Sequence, residues 1–235
     1  MGKREEQQKR KEAKQQAAKQ REQTQRLMGK IGLFGITPLF VLLVLYTIYS
    51  QGPTYSPVEI TATDHVRGQA SNPVSIVVYA DFQCPACAQE HRTMMRLWPQ
   101  LRDMSHLVFR HFPLTAAHQH SWEASLYAEA AGKQGRFWEM HDLLFANQAV
   151  WSSLTSIENE FDSYALELNL DLEQLHADIE SDEVIEKVRS DQRSGNSSGV
   201  RSTPTVFVNG RQLLRADADN ITEEVNEAYA ASSGD

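Results

Sequence analysis

Cys84 and Cys87 are the only cysteines in the 235-residue chain, and they stand in the run Cys84-Pro85-Ala86-Cys87. A bond between them closes a four-residue loop, for which the chain-entropy model gives about 2 kcal/mol of stabilisation, against about 4.7 kcal/mol for a hundred-residue loop. As a staple it does little. The spacing instead puts two sulfurs one helical turn apart, as a thiol pair that opens and closes in electron exchange requires. C-x-x-C also begins zinc sites, but a structural zinc wants four ligands. His91 follows Cys87 by four residues, and no His-x-x-x-His pair completes a set. Neither metal nor cofactor is expected at the pair.

Such a pair needs a strand to deliver it and a helix to hold it. Residues 75–80 (SIVVYA) are apolar on both faces, the pattern of a central strand covered on both sides. Asp81-Phe82-Gln83 lead to Cys84, and Pro85 suits the first helical position, where its missing N–H is no loss. Met94, Leu97, Trp98 and Leu101 recur at helical spacing, which predicts an amphipathic helix to about residue 101, ended or kinked near Pro99. Cys84 therefore sits at a helix N-terminus, where free N–H groups and the macrodipole favour the thiolate and lower its pKa from the usual value of about 8.5. Pro-Ala between the cysteines offers no side-chain donor to the sulfur, which predicts an intermediate redox poise.

Upstream, residues 58–63 predict a short edge strand followed by a loop, DHVRGQASNP. Downstream, residues 106–112 predict a second strand. Residues 116–190 then carry 3.6-period apolar patterns broken at Gly132, Gly135 and Asn169, an all-helical block. In it Trp122, Phe137 and Trp138 read as packing residues, and His118 and His120 as solvent-facing at a helix start; His111, on the second strand, reads as packed. One more helix is predicted over 184–193. After GNSSG comes Thr203-Pro204, and residues 204–214 predict a hairpin through an Asn209-Gly210 turn. An amphipathic helix over 221–230 closes an α/β domain with a helical insertion.

Charge divides the chain. Residues 1–30 carry ten Lys/Arg and four Glu, whereas the remainder carries 13 basic and 27 acidic side chains. Between the basic tail and the acidic domain, residues 31–49 hold no charge, long enough at 1.5 Å per residue to span a bilayer core. The expectation is an uncleaved transmembrane helix, with Pro38 tolerated and Tyr46 and Tyr49 at an interface. The basic flank keeps residues 1–30 cytoplasmic and sends the rest outside. A cleaved signal is disfavoured by the long basic lead and the lack of an A-x-A-like site. The domains are then a tail (1–30), a membrane helix (31–49), a linker (50–57) and an exported domain (58–231) with its insertion at about 116–190. An acidic exported domain without a phosphate-binding glycine motif argues against nucleic-acid partners.

Four stretches in order, DFQCPACAQEH after an apolar strand, RHFPL on the second strand, the helical block, and TPTVFVNG, resemble the DsbA-like thiol:disulfide oxidoreductases of the thioredoxin superfamily in their membrane-anchored bacterial form. The resemblance covers about residues 58–231. It implies a thioredoxin fold with an inserted helical domain, Cys84 as nucleophile, Cys87 as the buried resolving thiol, Pro204 as a cis-proline facing them, and Thr203 against substrate backbone. It also implies exported cysteine-containing proteins as substrates and a membrane redox partner that reoxidises the pair. Relatives commonly carry a buried acid six residues before the first cysteine. Here that position is Val78; Asp81 is the candidate to handle the proton through water in its place, the alternatives being that the role is empty and that Asp81 is an acid on a surface loop. Oxidation of exported thiols is the favoured direction; an isomerase or reductase of the same fold, or a metal-binding chaperone, are the alternatives.

Overall fold

The computed structural model describes residues 56–233 continuously, with isolated positions between 2 and 43 before them. The chain divides into two compact units, Met1–Thr54 and Tyr55–Asp235. In the first, residues 18–22 are helical and exposed. The transmembrane expectation for 31–49 lies outside the described residues except at Thr37, Leu42 and Leu43, and among the described residues no helix is long and apolar enough to cross a membrane.

The second unit is built on a five-stranded mixed sheet. In chain order it runs β1 (His65–Arg67), β2 (Val74–Ala80), α1 (Pro85–Leu101), β3 (Ser105–His111), α2 (Ser121–Lys133), α3 (Phe137–Ala146), α4 (Gln148–Trp151), α5 (Glu158–Glu167), α6 (Leu172–Ile179), α7 (Asp182–Ser197), β4 (Thr205–Val208), β5 (Arg211–Gln212) and α8 (Ala218–Ser233). The strand order is β1-β3-β2-β4-β5. β2 lies in the centre, parallel to β3 (Val78 opposite Phe109) and antiparallel to β4 (Val78 opposite Val206).

Alternation along β2 sorts its side chains between two covered faces. Val74, Ile76, Val78 and Ala80 join a core with Met94 and Leu101 of α1 and Ile221 and Val225 of α8. Val77 and Tyr79 join Val108, Phe112 and Phe207 on the other side. There α7 closes in: the Tyr79 hydroxyl meets Ser194 Oγ at 2.6 Å, and a Cβ on Gly195 would stand 2.8 Å from the Phe112 ring. Gly195 allows that approach. The β4–β5 hairpin turns at Asn209 and Gly210, both at positive φ (46° and 78°), as a type I′ turn demands.

One expectation is corrected. The edge strand is His65–Arg67, not 58–63, and falls inside the stretch read as loop. Three residues with two polar heads carry no alternation signal; their register comes from β3 (Val66 opposite Val108) and from anchors supplied by the insertion, His65 to Glu129 at 2.8 Å and Arg67 to Asp142 at 2.6 Å. α1 ends at Leu101, as expected, and passes through Pro99. Pro99 lies in the last turn, so one intrahelical bond is lost there, and the Arg102 N–H still reaches Trp98 O at 2.9 Å.

Candidate active site

The sheet delivers Cys84 and the helix holds it. After β2 the chain turns once, with Cys84 N–H bonded to Asp81 O at 3.1 Å, and Cys84 caps α1 with extended φ/ψ (−74°, 121°) while Pro85 enters the first turn. The Cys84 carbonyl accepts the N–H groups of Cys87 and Ala88 at 3.0 and 3.2 Å. Pro85 and Ala86 are exposed, Cys84 is 9% exposed, and Cys87 is fully buried. From the far end of the chain, the loop before β4 brings Thr203-Pro204, joined by a cis peptide bond, against the pair: the Cys84 thiol faces Thr203 O at 3.6 Å. Cys84, Cys87 and Thr203-Pro204 are thus assembled from positions over a hundred residues apart.

The two thiols are driven in opposite directions. Cys84 is lowered to about 5, first by a hydrogen bond from the Cys87 thiol, against the opposing effect of burial, and then by the N–H groups of Cys87 and Ala86 at the start of α1. Burial is the main cause that pushes Cys87 far above the usual thiol range, helped by its neighbour Cys84. The Asp81 N–H donates to Cys87 Sγ at 3.5 Å and acts the other way. The Thr203 hydroxyl, buried and without a well-formed hydrogen bond, lies within electrostatic reach of both sulfurs and weakly favours each thiolate.

Asp81 is fully buried, not on a surface loop. Its carboxylate receives Gln83 N–H and Leu114 N–H, each at 2.7 Å, and meets His118 Nδ1 at 2.8 Å. With three partners, the carboxylate serves as the knot that ties the cysteine loop to the segment after β3. His118 is therefore engaged, and His120 is buried, its Nε2 2.8 Å from Leu154 O; both were expected to face solvent. A two-residue approach to a helix gives no polarity pattern that tells a solvent-facing imidazole from one that bridges loops.

The insertion holds the site from its other side. Gln148 Nε2 donates to Phe82 O at 2.6 Å and Cys84 O at 2.9 Å, and the Gln83 side chain bridges His120 N–H and Ser152 O at 2.7 and 3.2 Å. No sequence signal marks Gln148. Glu90 is different. It is buried, its Oε1 has no hydrogen-bond partner, and burial alone raises its pKa to about 8. It lines a cavity of about 10 Å³ together with Val78, and the signal for it was present: Cys87, Glu90, Met94 and Leu101 share one stripe of α1 and are all buried. No group of three possible metal-ligating side chains among the described residues includes either cysteine.

A thioredoxin-like sheet with a helical insertion and a cysteine pair at a helix start defines a class, and comparison with known proteins gives the family. The chain belongs to the thioredoxin family: the model of the family described as Thioredoxin matches residues 60–228. Its fold is DsbA-like. BdbD from Bacillus subtilis superposes with a TM-score of 0.66 at 20% identity, covering 76% of this chain and 100% of that one. α-DsbA1 of Wolbachia pipientis gives 0.64 at 18%, covering 75% and 96%, and the catalytic domain of Proteus mirabilis ScsC gives 0.61 at 17%, covering 72% and 91%. Among curated proteins, Na(+)/H(+) antiporter NhaA 1 of Salinispora arenicola is 39% identical over 170 residues, 72% of this chain and 25% of that protein. The chain spans about a quarter of the length of the curated relatives it matches.

Proposed function

We propose that the protein is a membrane-anchored, extracytoplasmic thiol:disulfide oxidoreductase that oxidises cysteines of exported proteins. The observation that carries this reading is the split between the two thiols, Cys84 lowered to about 5 at the solvent edge and Cys87 raised in the interior. A low-pKa thiolate is a good leaving group, and its stability favours the reduced pair, which makes the disulfide the better oxidant. Each tenfold stabilisation of the thiolate adds about 30 mV to the potential.

A substrate thiolate attacks Cys84 Sγ of the Cys84–Cys87 disulfide; that bond breaks, Cys87 leaves with the electron pair and takes a proton, and a mixed disulfide joins substrate to Cys84. A second substrate thiolate attacks the substrate sulfur, and Cys84 leaves as a thiolate. Substrate loses two electrons, the pair gains two, and of the two thiol protons one is matched by that on Cys87 while the other goes to solvent. Cys87 is the resolving thiol in the reverse sense. Thr203-Pro204, lying against Cys84, offers its backbone to an extended substrate segment. A membrane redox partner reoxidises the pair, and the uncharged segment 31–49 behind a basic tail supports the anchor and the outward orientation.

A redox titration of the purified protein in glutathione buffers tests the direction. A potential well above about −200 mV is expected, and one near about −270 mV, the level of a reductant, overturns the oxidase reading. Stoichiometric zinc or copper in protein purified without reductant overturns the redox assignment in favour of a metal carrier.

A further inference from the structure

The opening of the disulfide leaves a proton unaccounted for inside the protein. Cys87 departs as a thiolate into a site with no solvent access, where burial strongly disfavours its charge. Asp81 does not supply the proton from an idle group, because its carboxylate is held by two backbone N–H groups and His118. Glu90 is idle. It stands three residues after Cys87 on α1, and side chains three apart on a helix are neighbours on one face.

We propose that Glu90 is the group that gives its proton to Cys87 when the disulfide opens, and that it is recharged through the adjoining cavity by way of His91, His141 and Asp142. The balance is simple: the Glu90 carboxylic acid and the Cys87 thiolate become a carboxylate and a thiol, and the carboxylate then takes a proton from solvent. No electrons move in this step. It rests on the redox reading of the pair and adds to it an acid placed on the helix side, where the strand offers only Val78.

Three observations support it. The first is the bare Oε1 itself, since a buried polar atom without a partner costs about 1–3 kcal/mol and is uncommon in a well-packed interior. The second is the cavity of about 10 Å³ beside it, at the lower bound of the space that holds one water and lined by His91 and His141 as well as Glu90. The third is a set of polar groups between that cavity and solvent: His141 Nδ1 lies 2.9 Å from Asp142 Oδ1, His91 Nε2 lies 3.8 Å from the same oxygen, too far for a direct hydrogen bond, and the Asp142 side chain is 42% exposed. Burial lowers both histidines from their ordinary value, so both are neutral near pH 7 and a proton does not rest on them.

The charged and titratable groups around Glu90 are few. The cavity wall carries His91 of α1 and His141 of α3; Cys87 lies one turn before Glu90 on the same stripe of α1, and Asp142, beside His141 at 2.9 Å, is held by Arg67 of β1 at 2.6 Å. β2 and β3 contribute Val78, Leu107 and Phe109 to the cavity wall. With no cation against it, Glu90 is protonated at pH 7, charged with the proton that Cys87 needs.

The test is the pH dependence of disulfide opening in the oxidised full-length protein, by stopped-flow attack of a small dithiol, with rates corrected for its thiolate fraction. The wild type is expected to show a break near pH 8, above which the rate falls; Glu90→Gln is expected to lose the break and to open at least about tenfold more slowly at pH 7. A Glu90→Gln profile that keeps the break and the rate overturns the proposal, while a wild type that does not react with the dithiol at all overturns the redox reading instead. Should the variant not fold, carbon-13 NMR of the glutamate carboxyls in the oxidised wild type decides: a carboxyl titrating near 8 is expected, and the absence of any carboxyl titrating above 6 overturns the assignment. His91→Phe keeps the stacking against Phe145 (4.9 Å, 19°) and removes the imidazole; slower opening in dilute buffer is expected, and an unchanged rate overturns the exit path.

Discussion

Two buried polar regions of the second unit are built on opposite terms. Where α2 and α7 meet the sheet, each charged side chain has a partner, and the bare atom there is Nδ1 of His111, whose Nε2 is held by Glu129. Arg110 grips Asp64 with Nε at 3.0 Å and Nη2 at 2.8 Å, and donates through Nη1 to Tyr79 and Ser194 at 2.8 and 2.9 Å. Lys187 pairs with Asp191 at 2.7 Å, and Glu129 lies between His65 at 2.8 Å and His111 at 2.7 Å, which hold its carboxyl far below the usual range despite burial. Behind Cys87 the opposite holds: Glu90 Oε1 has no partner, the Thr203 hydroxyl has no well-formed bond, and the thiol is strained upward by burial. Paired charges lock an insertion to a sheet. Unpaired ones stay free to change protonation, which is what a redox site needs.

The largest break in this contrast comes from the paired side. Asp64→Ala leaves the Arg110 guanidinium, 4% exposed, without its carboxylate, and removal of one member of a buried pair costs about 3–5 kcal/mol. The expected outcome is a fall of many degrees in Tm by calorimetry, with the Cys84 thiolate still titrating near 5 in protein that remains folded. A loss below about 1 kcal/mol would mean that water reaches the pair and that the two regions differ less than the geometry says.

The unpaired side predicts the opposite sign. Glu90 has a folded pKa of about 8, above the ordinary carboxyl value near 4.5, so the native state keeps a proton that the unfolded chain gives up between those limits. Stability contributed by the protonated form is present in full below about pH 4.5 and is lost as pH rises, by up to about 1.4 kcal/mol per unit in that window. Glu90→Leu removes both the proton and the bare oxygen. Denaturant unfolding at pH 5, 6 and 7 is expected to show the variant gaining on the wild type by a growing margin; a margin that does not change with pH would mean that Glu90 is ionised and has found a partner.

Sequence reading reached the elements that carry repeating patterns and missed those fixed by a partner far along the chain. The apolar run of β2, Pro85 at the first helical position and the Asn209-Gly210 turn are local statements, and each is found where its residues place it. β1 has no local statement to make: His65, Val66 and Arg67 become a strand because β3 has a free edge and because Glu129 and Asp142, more than sixty residues on, hold their side chains. The same reasoning covers Asp81 and His118. Glu90 was legible in principle, since an acid on the buried stripe of Cys87, Met94 and Leu101 violates the helix pattern, but only burial without a partner turns the violation into a function.

The smallest effect sharpens the line between the two regions, because Gln148 belongs to the insertion yet acts at the cysteines. Its amide nitrogen donates to Phe82 O and Cys84 O, the carbonyls on either side of the Gln83 turn, and its side chain is buried. Gln148→Ala removes the donor. Cys84 O keeps the N–H groups of Cys87 and Ala88, so only the Phe82 carbonyl is left without a named partner, and the expected cost is about 1–2 kcal/mol. The reactivity of Cys84 should respond in a defined way: the groups that lower its pKa are the Cys87 thiol, the first N–H groups of α1 and the Thr203 hydroxyl, and none of them is Gln148. Measured by the pH dependence of alkylation, the Cys84 pKa is therefore expected to stay near 5 while the Tm falls. A rise of a full unit would show that the insertion sets the geometry of the helix start, and that the paired region reaches into the unpaired one through a single amide.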